Sequence, residues 1–260
     1  MPLIDFGKKR DGQELNLKKF EYTIIGCGAI GIHVALLLAK RGKSVLILES
    51  GKIGEHPERQ ILNKSTTNRP DIASSVHWGR KRALGGSTIR WGGQALPFQS
   101  IDFAERPWLK LNGWPLSAED LEPHYRQAER YLGVGTGGYF GTAMKRLKLK
   151  PPFNSEDLDY HVSKWASQPN MFKRHQKKLE KDTTILYNAH CTEVIRDSNK
   201  RCKAVTIKNF DQKSLNIQIQ NLIIASGGIE SVRFLMVNNL SKSPFLGQGF
   251  MEHPCMDLGT

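Results

Sequence analysis

The stretch between residues 22 and 51 constrains the fold more than any other part of the chain. A first apolar run predicts a buried strand, and a glycine-rich turn follows it at once. Apolar spacing typical of a helix comes next, and a second apolar run predicts another buried strand. These segments are Tyr22–Ile25, Gly26-x-Gly28-x-x-Gly31, Ile30–Lys40 and Ser44–Leu48, the last followed by Glu49. This order predicts the first unit of a Rossmann-like α/β fold that binds a dinucleotide.

Each glycine of this turn has its own physical role. Gly26 permits the tight turn, Gly28 lets backbone N–H groups approach a pyrophosphate, and Gly31 lets the helix pack close to the strand. The helix N-terminus supplies partial positive charge for the phosphates. Glu49 stands where an acidic side chain accepts hydrogen bonds from a ribose 2′-OH. The predicted cofactor-binding residues of this unit are Gly26, Gly28, Ala29, Ile30, Gly31, Glu49 and Ser50. A glycine-tolerant turn in an unrelated α/β unit is the alternative.

Composition narrows the class of protein. The 260 residues allow one large domain or two small ones, and a hydrophobic content of 39% is enough for a core. No apolar run approaches the ~20 residues of a membrane span, and the N-terminus lacks the order of a secretory signal. We therefore expect a cytoplasmic protein. The four cysteines are scattered without a CxxC pair, so neither a metal site nor a disulfide framework is expected.

The net charge of +13 is compatible with three kinds of partner: nucleic acid, an anionic membrane surface or an acidic substrate. Basic residues concentrate in 145–150 and in 173–181. No aromatic residues interleave with the second run to stack bases, so a solvated helix face is expected there. Nucleic acid is therefore not an expected partner, and the sequence does not explain the excess charge.

A second glycine-rich region lies at 84–93, with two Gly-Gly pairs around a Ser-Thr. Such pairs let a backbone lie flat against a planar ligand or phosphate oxygens, and the hydroxyls of Ser87 and Thr88 can donate to those oxygens. Taken alone, the region could equally be a glycine-rich turn. Beside the first motif, it predicts a second clamp on the same cofactor.

Four stretches in a fixed order resemble the glucose–methanol–choline (GMC) family of FAD-dependent oxidoreductases. The resemblance covers most of residues 20–255, and the phrase Gly113–Tyr125 and Trp91-Gly92-Gly93 are similar to its bacterial sugar and polyol dehydrogenase branch. The four stretches are Gly26–Gly31 with Glu49, Leu84–Thr88, Ile223–Ser231 and Leu246–Pro254.

The resemblance implies FAD and further contacts with it. It places Gly85 and Gly86 along the pyrophosphate, Trp91 and Gly92 near the flavin ring, and Cys191 on the strand whose backbone reads the adenine. Ala225, Ser226 and Gly227 match the turn that returns to the nucleotide. Each of these assignments has an alternative without a cofactor. Cys191 could be an ordinary buried cysteine, and Gly227-Gly228 could be only a strand-to-helix turn. Glu230 could be an acid in the first turn of a helix, where the helix dipole favours it.

The resemblance also bears on how the flavin is held. Some relatives attach it to a histidine in the Gly-Gly-Ser-Thr region, where this chain has Ile89 and Arg90. We therefore expect non-covalent FAD. Arg90 is interpreted either as a residue near the flavin or as half of a surface salt bridge.

The domain organisation is expected to be discontinuous. We predict a polar arm at 1–19, a first FAD-binding part at 20–100, an inserted mainly helical segment at 101–182 and a second FAD-binding part at 183–243. Residues 244–260 are expected to begin a substrate domain whose catalytic C-terminal part is missing.

The activity that the resemblance implies is oxidation of an alcohol group of a sugar, polyol or similar donor. The family's base is a C-terminal histidine with no match here, so no catalytic residue is named. A complementary C-terminal chain is a candidate partner. The alternatives are a truncated FAD-binding remnant without catalysis and an NAD-dependent Rossmann enzyme.

Overall fold

The computed structural model describes residues 3–8, 19–66, 76–77, 79–109, 112–150, 154 and 162–251. The chain divides into two compact units, residues 1–90 with 171–260 and residues 91–170. In chain order the strands are β1 (Leu3–Asp5), β2 (Tyr22–Ile25), β3 (Val45–Leu48), β4 (Gln94–Ala95), β5 (Lys164–Trp165), β6 (Thr184–Tyr187), β7 (His190–Arg196), β8 (Cys202–Lys208), β9 (Ser214–Gln218) and β10 (Asn221–Ile224). The helices are α1 (Ala29–Lys40), α2 (Pro57–Gln60), α3 (Ser100–Phe103), α4 (Ala118–Leu132), α5 (Phe140–Leu147), α6 (Met171–Asp182) and α7 (Gly228–Val237).

A five-stranded parallel sheet organises the first unit, with the order β1-β6-β3-β2-β10. All four residues of β3 are buried, as expected for a strand covered on both faces. The chain runs from β2 through α1 to β3 on one side, whereas β10 pairs with the other side of β2. The strand order therefore reverses beside β2, which is where such sheets bind their ligands.

A smaller antiparallel sheet, β7-β8-β9, completes this unit. Its apolar residues Val205 and Ile207 share one buried cluster with Leu46 and Leu48 of β3 and with Phe234 of α7. Helix α1 packs against α6. The parallel sheet is thus held by helices and by the antiparallel sheet. Of the described helices, none combines the length and apolar character needed to cross a membrane.

The second unit, residues 91–170, is mainly helical with the small β4-β5 ladder. Helix α4 begins at a capping box: the Asp120 backbone N–H donates to the Ser117 hydroxyl, and the Ser117 N–H donates to the Asp120 carboxylate at 2.9 Å. This capping box satisfies two donors of the first turn. Inside the unit the Lys164 ammonium pairs with the largely buried Glu129 carboxylate at 2.6 Å.

The structure departs from the sequence prediction at two places. The N-terminal segment predicted as a polar arm contributes an edge strand, because Leu3–Asp5 pairs with β6 and the next residue, Phe6, is fully buried. Residues 9–18 of that segment lie outside the described part. The polar sequence of residues 51–76, with its prolines, predicts irregular structure, but the described part contains α2 and a 3-10 turn at Ile61–Asn63.

The predicted strands Tyr22–Ile25 and Ser44–Leu48 and the predicted helix Ile30–Lys40 are confirmed to within one residue at each end, and so is the α/β fold class with its parallel sheet. The two compact units differ from the predicted segment bounds at both ends of the insertion. Residues 91–100 belong to the second unit, and helix α6 belongs to the first.

Candidate functional site

Three predicted segments meet at the carboxyl ends of β2, β3 and β10. The Gly26 N–H donates to the Leu48 carbonyl at 2.8 Å, and the Ala225 N–H donates to the Ile25 carbonyl at 2.8 Å. These bonds place the turn after β10 beside the turn after β2. Such an edge is the usual ligand position of an open parallel sheet.

Gly26 is the point where two of these turns touch. Its φ of +105° lies in the left-handed region, and a methyl group there would stand 2.5 Å from the Ala225 carbonyl oxygen and 3.0 Å from the Ser226 Cα. A methyl group on Gly31 would collide with the Gly26 carbonyl oxygen. Both positions need glycine to let backbones approach each other.

The second glycine region lies against the first. The Gly85 N–H donates to the Cys27 carbonyl at 2.8 Å, and Gly85 and Gly86 have φ values of +101° and +56°. A methyl group on Gly86 would come to 2.9 Å from the Gly28 Cα. The structure therefore brings the two predicted clamps together.

The N-terminus of α1 is suited to an anion. Its N-cap is Gly28, and within the described chain no side chain caps the helix and no acidic residue occupies the first turn. A methyl group on Gly28 would find no atom nearer than 4.0 Å, the Gly86 Cα. Backbone N–H groups, positive helix charge and space beside a glycine fit a pyrophosphate.

Glu49 is buried, with 5% of its surface exposed. Its carboxylate accepts from the Cys27 N–H at 2.8 Å and the Gly51 N–H at 2.7 Å, and the Ser50 hydroxyl lies 3.4 Å away. Burial raises the pKa of Glu49, although these hydrogen bonds and the charge of Arg82 oppose the rise. A carboxylate has about four acceptor positions, so one is left for a ribose hydroxyl.

A group of arginines that no sequence motif predicts borders this end of the sheet. Glu230 of α7 lies 2.7 Å from Arg80, 2.9 Å from Arg82 and 2.8 Å from Arg233. Arg80 and Arg82 come directly before the second glycine region. The run Arg80-Lys81-Arg82 was the available signal, but its acidic partner is 150 positions away.

The remaining predicted site residues have these positions. The Thr88 hydroxyl donates to the Gly85 carbonyl at 2.5 Å and accepts from the Met171 N–H, so it braces the turn. Ser87 is exposed, and its hydroxyl accepts from the Lys81 N–H. Ile30 is 67% exposed at the start of α1. Gly227, with φ +85°, precedes α7.

Other predicted residues have mainly structural contacts. The Cys191 side chain packs against the main core cluster, and burial raises its pKa to about 12. Arg90 forms a salt bridge with Glu55 at 2.8 Å, which is the second of its two predicted interpretations. Trp91 and Gly92 belong to the second unit, where the Trp91 indole donates to the Pro169 carbonyl at 2.7 Å and Gly92 lies against the Trp165 ring.

Metal ligands are not grouped in the described part of the chain: no three His, Cys, Asp or Glu side chains there could hold an ion together. The described cysteines Cys27, Cys191 and Cys202 are free thiols. Cys255 and His253 lie outside the described residues.

These elements define an α/β protein with a Rossmann-like parallel sheet. The sequence model of the GMC oxidoreductase family matches residues 161–255. A 6′′′-hydroxyparomomycin C oxidase from Streptomyces lividus is 30% identical over 49% of this chain and 26% of its own length. The fructose dehydrogenase large subunit from Gluconobacter japonicus is 22% identical over 90% of this chain and 58% of its own.

A solved structure agrees in fold. The formate oxidase of Aspergillus oryzae RIB40 superposes with a TM-score of 0.53 at 20% identity, over 85% of this chain and 48% of its own. The chain is therefore similar in sequence to the GMC oxidoreductases over residues 161–255, as its motifs predict, and similar in fold to a solved oxidase. It spans between about a quarter and somewhat more than half of the length of these proteins.

Proposed function

We propose that this chain binds FAD and serves as the flavin-binding part of an oxidoreductase that acts on an alcohol group of a sugar, polyol or similar donor. One observation carries the proposal: the glycine segments at 26–31, 85–86 and 225–227 and the Glu49 carboxylate meet at one edge of the sheet. When bound, FAD would supply the hydride acceptor.

The residues of this chain have separate tasks in that proposal. Gly28, Gly86 and the uncapped start of α1 hold the pyrophosphate, since they offer N–H groups and space. Glu49 accepts a hydrogen bond from the ribose. The backbone at Cys191 reads the adenine. No covalent link is included, because no histidine stands near Ile89 and Arg90.

Catalysis needs a further segment in this proposal, because the chain offers no match to the family's C-terminal histidine. Strand β10 supports this proposal. One edge of β10 pairs with β2, and no strand of the described chain pairs with its other edge. Leu222, Ile223 and Ile224 of this strand are only partly buried. An apolar sheet edge of this kind is a template for another strand.

Binding of the cofactor can be measured directly. The purified chain should carry flavin absorbance, release FAD intact on denaturation, and take up FAD but not NAD in calorimetric titration. A protein that binds NAD and no flavin would instead be an NAD-dependent Rossmann enzyme. Flavin binding without dye reduction by any sugar or alcohol would support a non-catalytic FAD-binding remnant.

A further inference from the structure

Arg82 joins the proposed ribose end of the site to helix α7. Its Nη1 donates to the Ser50 hydroxyl at 3.1 Å, and its Nη2 lies 2.9 Å from the Glu230 carboxylate. Its Nε donates to the Asn63 side chain at 2.8 Å. Three anchors on three segments fix this guanidinium beside the end of β3, since each bond restricts its planar fork.

Glu230 is the charged anchor among the three. Burial alone would raise its pKa, but the hydrogen bonds and charges of Arg233, Arg82 and Arg80 lower it to about 2. Glu230 is therefore ionised throughout the range from pH 5 to 8. An ionised carboxylate that is mostly buried and shared by three guanidinium groups holds them more firmly than an exposed pair would.

Glu49 is the carboxyl group that this arrangement affects. Burial favours the neutral acid and raises the pKa of Glu49; the N–H groups of Cys27 and Gly51 oppose this most, and the charge of Arg82 adds to them. Arg82 reaches Glu49 through Ser50, whose hydroxyl lies 3.1 Å from Arg82 Nη1 and 3.4 Å from the Glu49 carboxylate. The other titratable group beside it is the buried Cys27 thiol, whose own pKa burial and Glu49 raise. Burial, together with the charges of Arg82 and Arg59, lowers the pKa of His190 to about 4.

We propose that Glu230 is a positioning residue: it holds Arg82 against the Ser50 hydroxyl, and Arg82 and Ser50 together hold the Glu49 carboxylate where it accepts the ribose hydroxyl of FAD. This inference rests on the proposed function. It assigns Arg82 and Glu230 a task in cofactor binding. Loss of the Arg82–Glu230 pair should make the FAD affinity depend on pH, whereas loss of a purely structural ion pair should not.

The test compares FAD dissociation constants at pH 6 and pH 8 by titration calorimetry on the full chain. The wild-type affinity should change by less than about threefold, whereas Arg82→Met should bind about tenfold more weakly at pH 6 than at pH 8, since one unit of pKa is a factor of ten. Glu230→Gln should also bind FAD more weakly at pH 6 than at pH 8. Arg82→Lys, which keeps the charge, should restore much of the flat profile.

Two controls separate this inference from its rivals. Glu129→Gln breaks a comparably buried ion pair in the other unit and should leave the FAD profile flat. His190→Gln in the Arg82→Met background should leave the pH dependence in place, because Glu49 is the titrating group. A flat profile in that double variant would identify His190 as the titrating group and overturn the inference.

The outcomes also distinguish this inference from the proposed function. Absence of FAD binding by the wild-type chain would remove the proposed function and this inference with it. Normal, pH-independent FAD binding by Arg82→Met would overturn the inference alone. If Arg82→Met and Glu230→Gln both fail to fold while Glu129→Gln folds, the cluster serves the fold, and a specific role toward Glu49 is rejected.

Discussion

Replacing Gly28 by alanine should weaken FAD binding by at least about a hundredfold, or ~2.7 kcal/mol, while the protein stays folded. The backbone at Gly28 is extended, with φ −87° and ψ −173°, so alanine adopts it without strain. The added methyl group would meet nothing nearer than 4.0 Å in the protein. It would instead occupy the space where phosphate oxygens approach the N–H groups.

This prediction is checked by FAD titration together with the thermal midpoint of the free protein. Gly135→Ala is the matched control, because a methyl group at Gly135 also finds open space and its φ is not in the left-handed region. That control should bind FAD like the wild-type chain. Wild-type FAD affinity in Gly28→Ala would show that the pyrophosphate does not lie against this residue.

Replacing Gly26 by alanine should destabilise the folded protein by about 2–4 kcal/mol. The left-handed backbone costs an alanine about 1 kcal/mol, and forcing a methyl group into packed surroundings costs about 1–3 kcal/mol more. The atoms it would meet, the Ala225 carbonyl and the Ser226 Cα, are backbone. Neither can move aside as the end of a flexible side chain would.

Urea denaturation of the free protein measures this loss. Gly42→Ala separates the two contributions, because Gly42 has φ +73° but nothing within 4 Å of an added methyl group. It should lose only about 1 kcal/mol. Equal losses for the two variants would mean that the turn at 225–226 is not held against Gly26.

Much of the site could be predicted because its chemistry is local. The turn at 26–31 carries its geometry in the sequence, since glycine is the residue that allows left-handed backbone and close approach. The acid Glu49 follows from the same β-α-β spacing. The contact between Gly86 and Gly28 was anticipated as two clamps on one cofactor, although only the structure supplies the distance.

The parts that sequence reasoning missed depend on distant partners. The Arg80–Glu230 pair joins residues 150 positions apart, and no local pattern marks such a pair. The strand Leu3–Asp5 is three residues long, too short for an alternating pattern, and polar residues after it favoured an arm. The role of Thr88 as a brace was also hidden, because a hydroxyl's partner depends on tertiary packing.

The side chain of Asn221 on β10 reaches the carbonyl of Glu21, just before β2, across 200 positions of sequence. Closing so distant a contact is slow, because chain entropy opposes it until late in folding. During synthesis from the N-terminus, the glycine turn at 26–31 therefore leaves the ribosome about 200 residues before its neighbours at 225–227. The turn is present as a sequence long before the segment that packs against it.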